Sequence, residues 1–516
     1  MVELPIDVWY RIIVDGLQCN SKVLLSLAVV SRLISELALD ILWREQLSLR
    51  PFYAVINSYY LSRSPARLVL VEDGGVKDEW GEWFSEPSLA LLEPLDHLVQ
   101  CRVRSYLCRV RKLKVKPGCP WLSSMLPLLE SCVKSDDPIF PNLTALHFSF
   151  SASSEVTTTQ IQLLLPLLSY SLRSIDLHVP KSQPRAILTL LDLLNVLDCE
   201  IEQIRYTGPE HPEVFSALSS FTALRSLATC QNECANRNIT VMSAIDFVSP
   251  LTSLRSLALD LAAFVLPKVQ PSIPPINFLV LEDLRLDGTA QDLRDFLHQV
   301  GSTTVVKVTL AFHDHEPHSV PYAGCFKNLH SAFPDARELR LEFRGLQAAT
   351  RLTYQHLIFI KKMPIQRFSL FQVSDVVPHR LTEDDICSLV RAWPGLTHFS
   401  LLSWSASYSA DILIAFSDLQ HLVHLEIYLN LKSMIASPTH VDWSGLKASS
   451  SFSPLQQLNL DEAVCLPEHG LEIYALLTHL RELFPRLRSV SSGDDASFVQ
   501  ERLDELECLW AQQSHP

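Results

Sequence analysis

One short segment brings together the side chains best suited to chemistry. The letters FHDHEPH place His313, His315 and His318 beside Asp314 and Glu316. Imidazole and carboxylate groups can bind zinc or activate water. The histidines match neither a helical pair four residues apart nor an HExxH pattern, and the segment follows a predicted strand. A solvated loop is therefore favoured. We predict no bound metal and no cofactor, and keep a metal-dependent hydrolase as the least favoured alternative.

A basic run offers a second kind of chemistry. Seven basic residues and no acidic one lie between Arg102 and Lys116, directly after an acidic stretch. Lys112, Lys114 and Lys116 alternate with apolar residues, so they would share the exposed face of a strand. A phosphate or an acidic segment could dock there through charge-assisted hydrogen bonds. A solvated face balanced by the nearby acids is favoured, because charge runs usually serve solubility.

Other enzyme signatures are missing from the sequence. There is no GxSxG, no phosphate-binding loop, no dinucleotide-binding glycine pattern and no CxxC pair among the twelve cysteines.

The net charge of −14 argues against a partner that is nucleic acid. The most apolar stretch, IQLLLPLLSYSL, is shorter than the ~20 residues that a bilayer requires. Acidic residues stand where a signal peptide would be basic. We expect a non-enzyme inside the cell, in the cytoplasm, the nucleus or both.

A short repeat organises most of the chain. Its pattern is apolar, two variable, apolar, one variable, apolar, as in LTALHF, LRSLAL and ARELRL. Fourteen such units begin at residues 110, 143, 172, 201, 224, 254, 281, 305, 336, 365, 396, 422, 455 and 487, about 29 residues apart on average. The last positions of each unit alternate as in a strand, and stretches such as AILTLLDLL and DLRDFLHQV have helical spacing.

One strand and one helix per unit are typical of leucine-rich repeats. We therefore predict an α/β fold, an irregular solenoid with parallel strands lining the concave face and helices outside. A doubly wound sheet also alternates strands and helices, but its long apolar strands with glycine-rich turns are missing. FVQERLDELECLW near the end of the chain has Leu503, Leu506 and Trp510 at helical spacing and is predicted to cap the array.

The first fifty residues follow different rules. Pro5 suits a first helical turn, and Asn20 or Ser21 and then Ser31 can cap two further helices. Three short helices carry more apolar surface here than they can hide among themselves. They either pack on the rest of the chain or leave an interface for another protein.

This segment resembles an F-box, the helical motif that binds a Skp-family adaptor and so joins a cullin-based ubiquitin ligase. The resemblance lies in LPIDVWYRII, in SLAVVSR and in the Leu-Trp pair at 42–43. Further along, HLVQCRVRSYLCRVRKLKV, FPNLTALHFSF and LLPLLSYSLRSIDL are similar to F-box proteins of mushroom-forming fungi. The implied organisation is a three-helix F-box at 1–50, a helical connector at 51–100 and a leucine-rich-repeat-like solenoid with its helical cap at 101–516.

The resemblance also implies which residues face the adaptor or support its contact surface. The alternative is that the same residues form the core of an N-terminal helical cap, since buried apolar residues are commoner than interface anchors. The residues concerned are Leu4, Pro5, Val8, Ile12, Leu27, Val30, Leu42 and Trp43.

A substrate surface is predicted from the variable positions of the repeats, which would point into the hollow of the array. The first unit carries Lys112, Lys114 and Lys116 there, and units after it carry small or weakly polar residues such as Ser226 and Ala258. From Asp283 onward the positions change character, and the units from 336 to 428 carry mixed charges with arginine and aromatic anchors, the composition of a specific protein-binding surface. The predicted substrate-binding residues are Arg340, Glu342, Arg367, Phe371, His398, His424, Glu426 and Tyr428.

The favoured hypothesis is a substrate receptor of a Skp-cullin-F-box ligase. It would hold an unknown protein substrate near a charged ubiquitin-carrying enzyme, because the chain lacks ligase chemistry of its own. The main alternative is a repeat scaffold that binds partners without sending them for degradation.

Overall fold

A computed structural model describes the chain in many short ranges, which form two compact units, residues 1–241 and 242–516. The residues described are 32–63, 72–77, 83–87, 95–115, 120–133, 137–149, 161–162, 164–179, 184–208, 211–230, 243–264, 275–313, 322–344, 352–372, 381–402, 408–409, 412–430, 453–459, 480 and 483–491.

The first unit alternates helices with short strands. Its elements are α1 (Arg32–Arg44), β1 (Glu45–Gln46), α2 (Arg50–Arg63), β2 (Glu72–Lys77), β3 (Trp83–Pro87), α3 (His97–Leu107), β4 (Lys112–Val115), α4 (Pro120–Glu130), β5 (Ala145–Ser149), β6 (Ser174–His178), α5 (Pro184–Val196), β7 (Gln203–Thr207), α6 (Pro212–Ser219) and β8 (Ser226–Cys230). The segment predicted as a helical connector, 51–100, thus contains most of α2, an antiparallel hairpin of β2 and β3 and the first turn of α3.

The second unit repeats the same alternation. Its elements are α7 (Ala244–Val248), β9 (Ser256–Asp260), β10 (Ile276–Asn277), β11 (Asp283–Gly288), α8 (Ala290–Gln299), β12 (Val300–Gly301), β13 (Lys307–Phe312), α9 (Tyr322–Ala332), β14 (Glu338–Phe343), α10 (Tyr354–Leu357), β15 (Arg367–Gln372), α11 (Glu383–Ala392), β16 (His398–Leu402), β17 (Tyr408–Ser409), α12 (Ile412–Ser417), β18 (His424–Ile427), β19 (Leu429–Asn430), β20 (Gln457–Asn459) and β21 (Ser489–Ser491).

The main strands of each unit form a parallel sheet. In the first unit the order is β1, β4, β5, β6, β7, β8. In the second it is β9, β11, β13, β14, β15, β16, β18, β20, β21. Each of the fourteen predicted units contains one of these strands, beginning two residues after the unit's first apolar position. The predicted leucine-rich-repeat solenoid is therefore confirmed.

Alternation along each strand divides core from surface. In β11, Leu284 and Leu286 are fully buried, while Asp283 and Arg285 on the other face are only partly covered. The following helix α8 buries an apolar stripe that includes Leu293 and begins at a Thr capping box. Each buried leucine contributes roughly 1.5–3 kcal/mol relative to an exposed one, which makes this register hard to slip.

Within each unit, a backbone ladder links consecutive repeats just before their strands. The N–H of Arg173 donates to the Thr144 carbonyl at 2.9 Å, and that of Gln366 donates to the Arg337 carbonyl at 2.7 Å. The same bond joins Arg111 to the carbonyl of Arg44 at 2.9 Å. Arg44 therefore stands at the start of an additional repeat unit, which the apolar pattern did not identify.

That additional unit was missed because it breaks the apolar pattern. Gln46 occupies the inner strand position where the other units carry an apolar residue, and it is buried. Its side-chain amide donates to the Leu42 carbonyl at 2.9 Å, which satisfies one of its polar groups.

The predicted C-terminal cap lies outside the described residues. Within the described part of the chain, no helix is long and apolar enough to cross a membrane.

Candidate functional site

The residues predicted to serve the adaptor are only partly described. Leu4, Pro5, Val8, Ile12, Leu27 and Val30 lie outside the described residues. Leu42 and Trp43 lie in the last turn of α1, immediately before β1. Their surroundings are therefore the part of this prediction that the structure informs.

Trp43 packs inside the first unit. Its indole stacks on the ring of Tyr106 at 4.4 Å between centroids with planes 6° apart, and it meets Phe52 at 4.9 Å. Phe52 in turn contacts Phe140, so the aromatic residues bridge α1, α2, α3 and the next repeat. Only 6% of Trp43 is exposed, whereas Leu42 is half-buried. Trp43 can therefore support a contact surface but does not present its ring to a partner.

Helix α1 is also held by an ion-pair clamp. The guanidinium of Arg109 lies between the carboxylates of Glu36 and Asp40, and it donates to the Glu36 carbonyl at 3.1 Å. The Arg109 side chain is 15% exposed, so its contacts with α1 are shielded from water more than a surface pair would be. Together, the aromatic stack and the clamp fix α1 against the entry to the repeats.

The structure describes part of the histidine-rich segment at 313–318 and part of the basic run at 102–116. His313 ends the run of β13, where its N–H donates to the Gly288 carbonyl at 2.9 Å, while His315 and His318 lie outside the described residues. No group of three potential metal ligands exists among the residues that the structure describes. In the basic run, Lys112 pairs with Glu45 of the neighbouring strand at 2.6 Å.

The substrate prediction concerns one face of the second sheet, which we call the polar face. It consists of the first and third residues of strands β11, β13, β14, β15, β16 and β18 and the fifth residues of all of these strands except the four-residue β18. The strand register aligns these residues into three rows that run across the strands. Seven of the eight predicted substrate residues lie on these rows.

The first row alternates in charge and ends in histidines. Lys307 pairs with Asp283 at 2.8 Å, and Arg367 pairs with Glu338 at 3.5 Å. Its six members are Asp283, Lys307, Glu338, Arg367, His398 and His424.

The two histidines of this row are neighbours. The rings of His398 and His424 lie 5.8 Å apart. Burial lowers the pKa of His398, and the nearby Arg367 and His424 lower it further. His398 is thus biased towards its neutral form.

The third-position row continues with polar groups. Glu426 accepts hydrogen bonds from the Ser400 hydroxyl and from the side-chain amide of Asn459. These bonds hold the Glu426 carboxylate against the sheet. Arg285 and Arg340 belong to the same row, separated by Thr309 on β13.

Tyr428 is the one predicted substrate residue that does not lie on the polar face, and its prediction as an exposed contact residue is wrong. Strand β18 ends at Ile427, and the backbone then turns so that β19 pairs with β17. The Tyr428 carbonyl accepts from the N–H of Tyr408 at 3.1 Å, and the Tyr428 side chain is 2% exposed. A buried ring cannot contact a substrate, so Tyr428 belongs to the core.

Five charged residues converge on the polar face, and we call them the arginine cluster: Arg285, Asp287, Arg340, Glu342 and Arg344. The carboxylate of Glu342 accepts from Arg344 at 2.6 Å, from Arg340 at 2.8 Å and from Arg285 at 3.2 Å. Glu342 was predicted to contact substrate directly, but its side chain is only 5% exposed beneath the three guanidinium groups. It orients the arginines instead.

Two small residues make this convergence possible. Arg285 on β11 reaches Glu342 on β14 across the intervening strand β13. There the aligned residues are Thr309 and Ala311, both buried and too short to block the crossing.

Arg344 was missed by the sequence prediction. It lies two residues beyond Glu342, and the strand alternation could have placed it on the same face.

The two carboxylates of the cluster have opposite pKa shifts. Burial alone would raise the pKa of Glu342, but Arg285, Arg344 and Arg340 outweigh it and the pKa is lowered. Burial raises the pKa of Asp287, and the more distant Arg285 and Arg344 do not fully compensate. Arg285 lies 3.5 Å and Arg344 3.8 Å from Asp287, longer than the contacts to Glu342.

An aromatic contact extends the cluster to the next strands. The guanidinium carbon of Arg340 lies 4.2 Å from the ring centroid of Phe371, a cation–π distance. Phe371 aligns with Leu402 on β16, and both side chains are half-buried. The fifth-position row therefore changes from charged residues to apolar ones between β14 and β16.

Comparison with known proteins finds similar folds but no family. A chain of the yeast Rad7 and Elc1 complex is similar at 12% identity and a TM-score of 0.34, over 78% of this chain and 89% of that one. A chain of the mouse RP105/MD-1 complex has 13% identity and a TM-score of 0.33, over 76% and 51%. A leucine-rich-repeat protein of Leptospira interrogans has 11% identity and a TM-score of 0.28, over 84% of this chain and 98% of that one. No family model and no curated protein matches the chain.

Proposed function

We propose that this chain is the substrate-recognition subunit of a Skp-cullin-F-box ubiquitin ligase. The observation that carries the proposal is the continuity between the F-box-like segment and the repeats. Helix α1 falls where the third helix of an F-box is expected, and it runs into β1 without an intervening residue. A segment resembling an adaptor-binding motif is thus anchored to an array of protein-interaction type.

The adaptor would bind the apolar surface of residues 1–50. In this proposal Leu4, Pro5, Val8, Ile12, Leu27 and Val30 make the contacts or support them, together with the half-buried Leu42. Trp43 acts from beneath, because its stack on Tyr106 holds the last turn of α1 in place.

The substrate would bind the polar face of the second unit. Arginine and aromatic side chains are enriched among residues that dominate protein interfaces, and Arg340, Arg367 and Phe371 lie there partly exposed. The chain itself would supply no bond-making chemistry. Its contribution is proximity, since holding a substrate lysine near a ubiquitin thioester raises the effective concentration of the two reactants.

The main alternative uses the same geometry without degradation. A repeat scaffold could bind partners on the polar face and use its N-terminal segment for an adaptor, or another helix, with no cullin attached. The presence of a cullin in the assembly therefore separates the two functions.

The test is affinity purification of the tagged full chain from cells with the proteasome blocked. We expect a Skp-family adaptor and a cullin to co-purify with the wild type. Replacing Leu4 and Pro5 by Ala should reduce adaptor recovery about 30-fold, as expected when an interface anchor worth ~2 kcal/mol is lost. Leu98→Ala is the matched control, because this leucine of α3 is 62% exposed and lies outside the F-box-like segment.

The outcomes separate the hypotheses. Adaptor with cullin, both lost in the Leu4 and Pro5 variant, supports the ligase subunit. Adaptor without cullin supports the scaffold. Adaptor recovery that is unchanged in the variant removes the F-box assignment.

A further inference from the structure

We propose that the arginine cluster and the apolar pair beside it form a subsite for an extended protein segment that carries an acidic side chain followed by an apolar one. The proposal rests on the proposed function, in which the polar face receives the substrate. It goes further by naming the chemistry of the segment and the residues that distinguish it.

The acidic preference follows from the charge balance of the cluster. Three guanidinium groups face two carboxylates, so the arginine cluster carries one excess positive charge. The Glu342 carboxylate already accepts three contacts and is 5% exposed, so it has little capacity left for a partner. Arg340 uses its Nε atom for Glu342, and its side chain is 48% exposed.

Arg340 is also held ready for a ligand. Glu342 fixes the Nε edge of its guanidinium, and the ring of Phe371 supports the guanidinium group at 4.2 Å. Its two Nη atoms make no hydrogen bond within the described residues. A planar fork of two donors matches a carboxylate in a bidentate pair, and orienting the fork beforehand reduces the entropy lost on binding.

The apolar preference comes from the next two strands. Phe371 and Leu402 follow Glu342 along the fifth-position row, where the other side chains are charged or small. Neighbouring strands lie ~4.8 Å apart, so Leu402 on β16 lies roughly 10 Å from the β14 strand that carries Arg340. A segment in the extended polyproline II conformation rises about 3.1 Å per residue with three residues per turn, so its residues i and i+3 lie on one side, about 9 Å apart. The segment would therefore run across the strands, with its acidic residue over Arg340 and an apolar residue about three positions further on.

A singly charged carboxylate fits better than a phosphate. The excess on the cluster is one positive charge, which one carboxylate neutralises. A phosphate carries nearly two negative charges, and the other cations of the first row, Lys307 and Arg367, are already paired with carboxylates. A phosphorylated segment is thus a competing outcome that the test includes.

The test measures binding of fluorescein-labelled octapeptides to the purified full chain by fluorescence anisotropy. The main probe has one glutamate and a phenylalanine three residues later, within glycine and serine. Comparison probes replace glutamate by glutamine, phenylalanine by serine, or glutamate by phosphoserine. We expect the main probe to bind at least tenfold more tightly than the glutamine or serine probes and more tightly than the phosphoserine probe.

Protein variants connect the binding to the cluster. Arg340→Met keeps an unbranched side chain over Phe371 but removes the fork, and it should weaken the main probe about tenfold without changing the glutamine probe. Arg337→Met is the matched control, because Arg337 is an exposed arginine of the same repeat that lies outside the polar face. It should bind the main probe like the wild type. Circular dichroism of both variants verifies folding.

Each result decides the inference. Equal affinity for the glutamate and glutamine probes, or an equal loss of both in Arg340→Met, overturns it. Tighter binding of the phosphoserine probe replaces the carboxylate by a phosphate. The assay requires neither adaptor nor cullin, so peptide binding without adaptor recovery would refute the ligase function alone, and adaptor recovery without peptide binding would refute the subsite alone.

Discussion

Replacing Glu342 by Gln should loosen the second unit specifically around strands β13, β14 and β15. The substitution keeps the size of the side chain and one carbonyl acceptor but removes the charge on which three guanidinium groups converge. The amide NH₂ that replaces one oxygen also faces arginine donors and cannot accept from them.

The magnitude follows from the contacts and their exposure. Contacts of 2.6, 2.8 and 3.2 Å are charge-assisted hydrogen bonds, each worth roughly 1.5–3 kcal/mol when shielded. The arginine side chains are 35–48% exposed, so solvent screening lowers their contributions, and the amide retains part of one bond. The carboxylate also no longer requires desolvation. We expect a net loss of about 2 kcal/mol in local stability.

The dependence on pH distinguishes this loss from a packing defect. The pKa of Glu342 is lower in the folded chain than its ordinary value, so its stabilisation is present above the ordinary pKa and is lost as pH falls through the folded pKa. The difference between wild type and Glu342→Gln should therefore be constant near neutral pH and shrink in strong acid.

Asp287→Asn is the matched control. The folded pKa of Asp287 is raised by burial, so its ionised form destabilises the fold above the folded pKa, and this penalty declines as pH falls below the folded pKa and is absent below the ordinary pKa. Removing that charge should cost less stability at neutral pH than removing the charge of Glu342, or none.

Hydrogen exchange with mass spectrometry is the suitable assay, because a repeat array opens locally. A loss of about 2 kcal/mol should speed amide exchange in β13, β14 and β15 about 30-fold and leave β4 to β7 unchanged. Exchange as slow in Glu342→Gln as in the wild type would refute the reasoning, since it would mean that desolvation cancels the attraction of the arginines.

Three further predictions concern other parts of the chain. Trp43→Ala should destabilise the first unit by about 3–5 kcal/mol, because it removes the stack on Tyr106 and leaves a cavity, and a lower midpoint of urea unfolding would show this. Arg109→Met should release α1 at a cost of about 1 kcal/mol, since the carboxylates it binds are more than half exposed, and limited proteolysis within α1 should speed up. Tyr408→Phe should be neutral or stabilising by about 1 kcal/mol in thermal unfolding, because the Tyr408 hydroxyl is buried without a hydrogen-bond partner in the described residues.

The strand positions could be predicted from the sequence because the inner positions are chemically uniform. Leucine or another apolar residue at every second position can face only the core, so each unit fixes its own register. The first unit of the array broke that uniformity with Gln46, and it became visible only through the backbone bond from Arg111 to Arg44. Tyr428 kept the right spacing but lay one residue beyond the end of its strand.

The arrangement on the polar face could be predicted only by residue type. The sequence indicated that Arg340 and Glu342 share a face. It did not indicate that Glu342 is covered by arginine side chains. That covering requires Arg285 on β11 to reach Glu342 on β14 by passing over Ala311 of the intervening strand β13. Contacts between residues more than fifty positions apart depend on which small residues lie between them, and no local pattern encodes that relation.

The alternating first row limits how this repeat array can change its length. Asp283, Lys307, Glu338 and Arg367 alternate in sign from strand to strand, and each carboxylate pairs with a cation of the adjacent repeat. Deleting the repeat that carries Lys307 would place Asp283 opposite Glu338, and like charges directly opposite each other are destabilising. Deleting the repeats of Lys307 and Glu338 together would restore an opposite pair with Arg367. Here the array should therefore tolerate the loss of two repeats better than the loss of one.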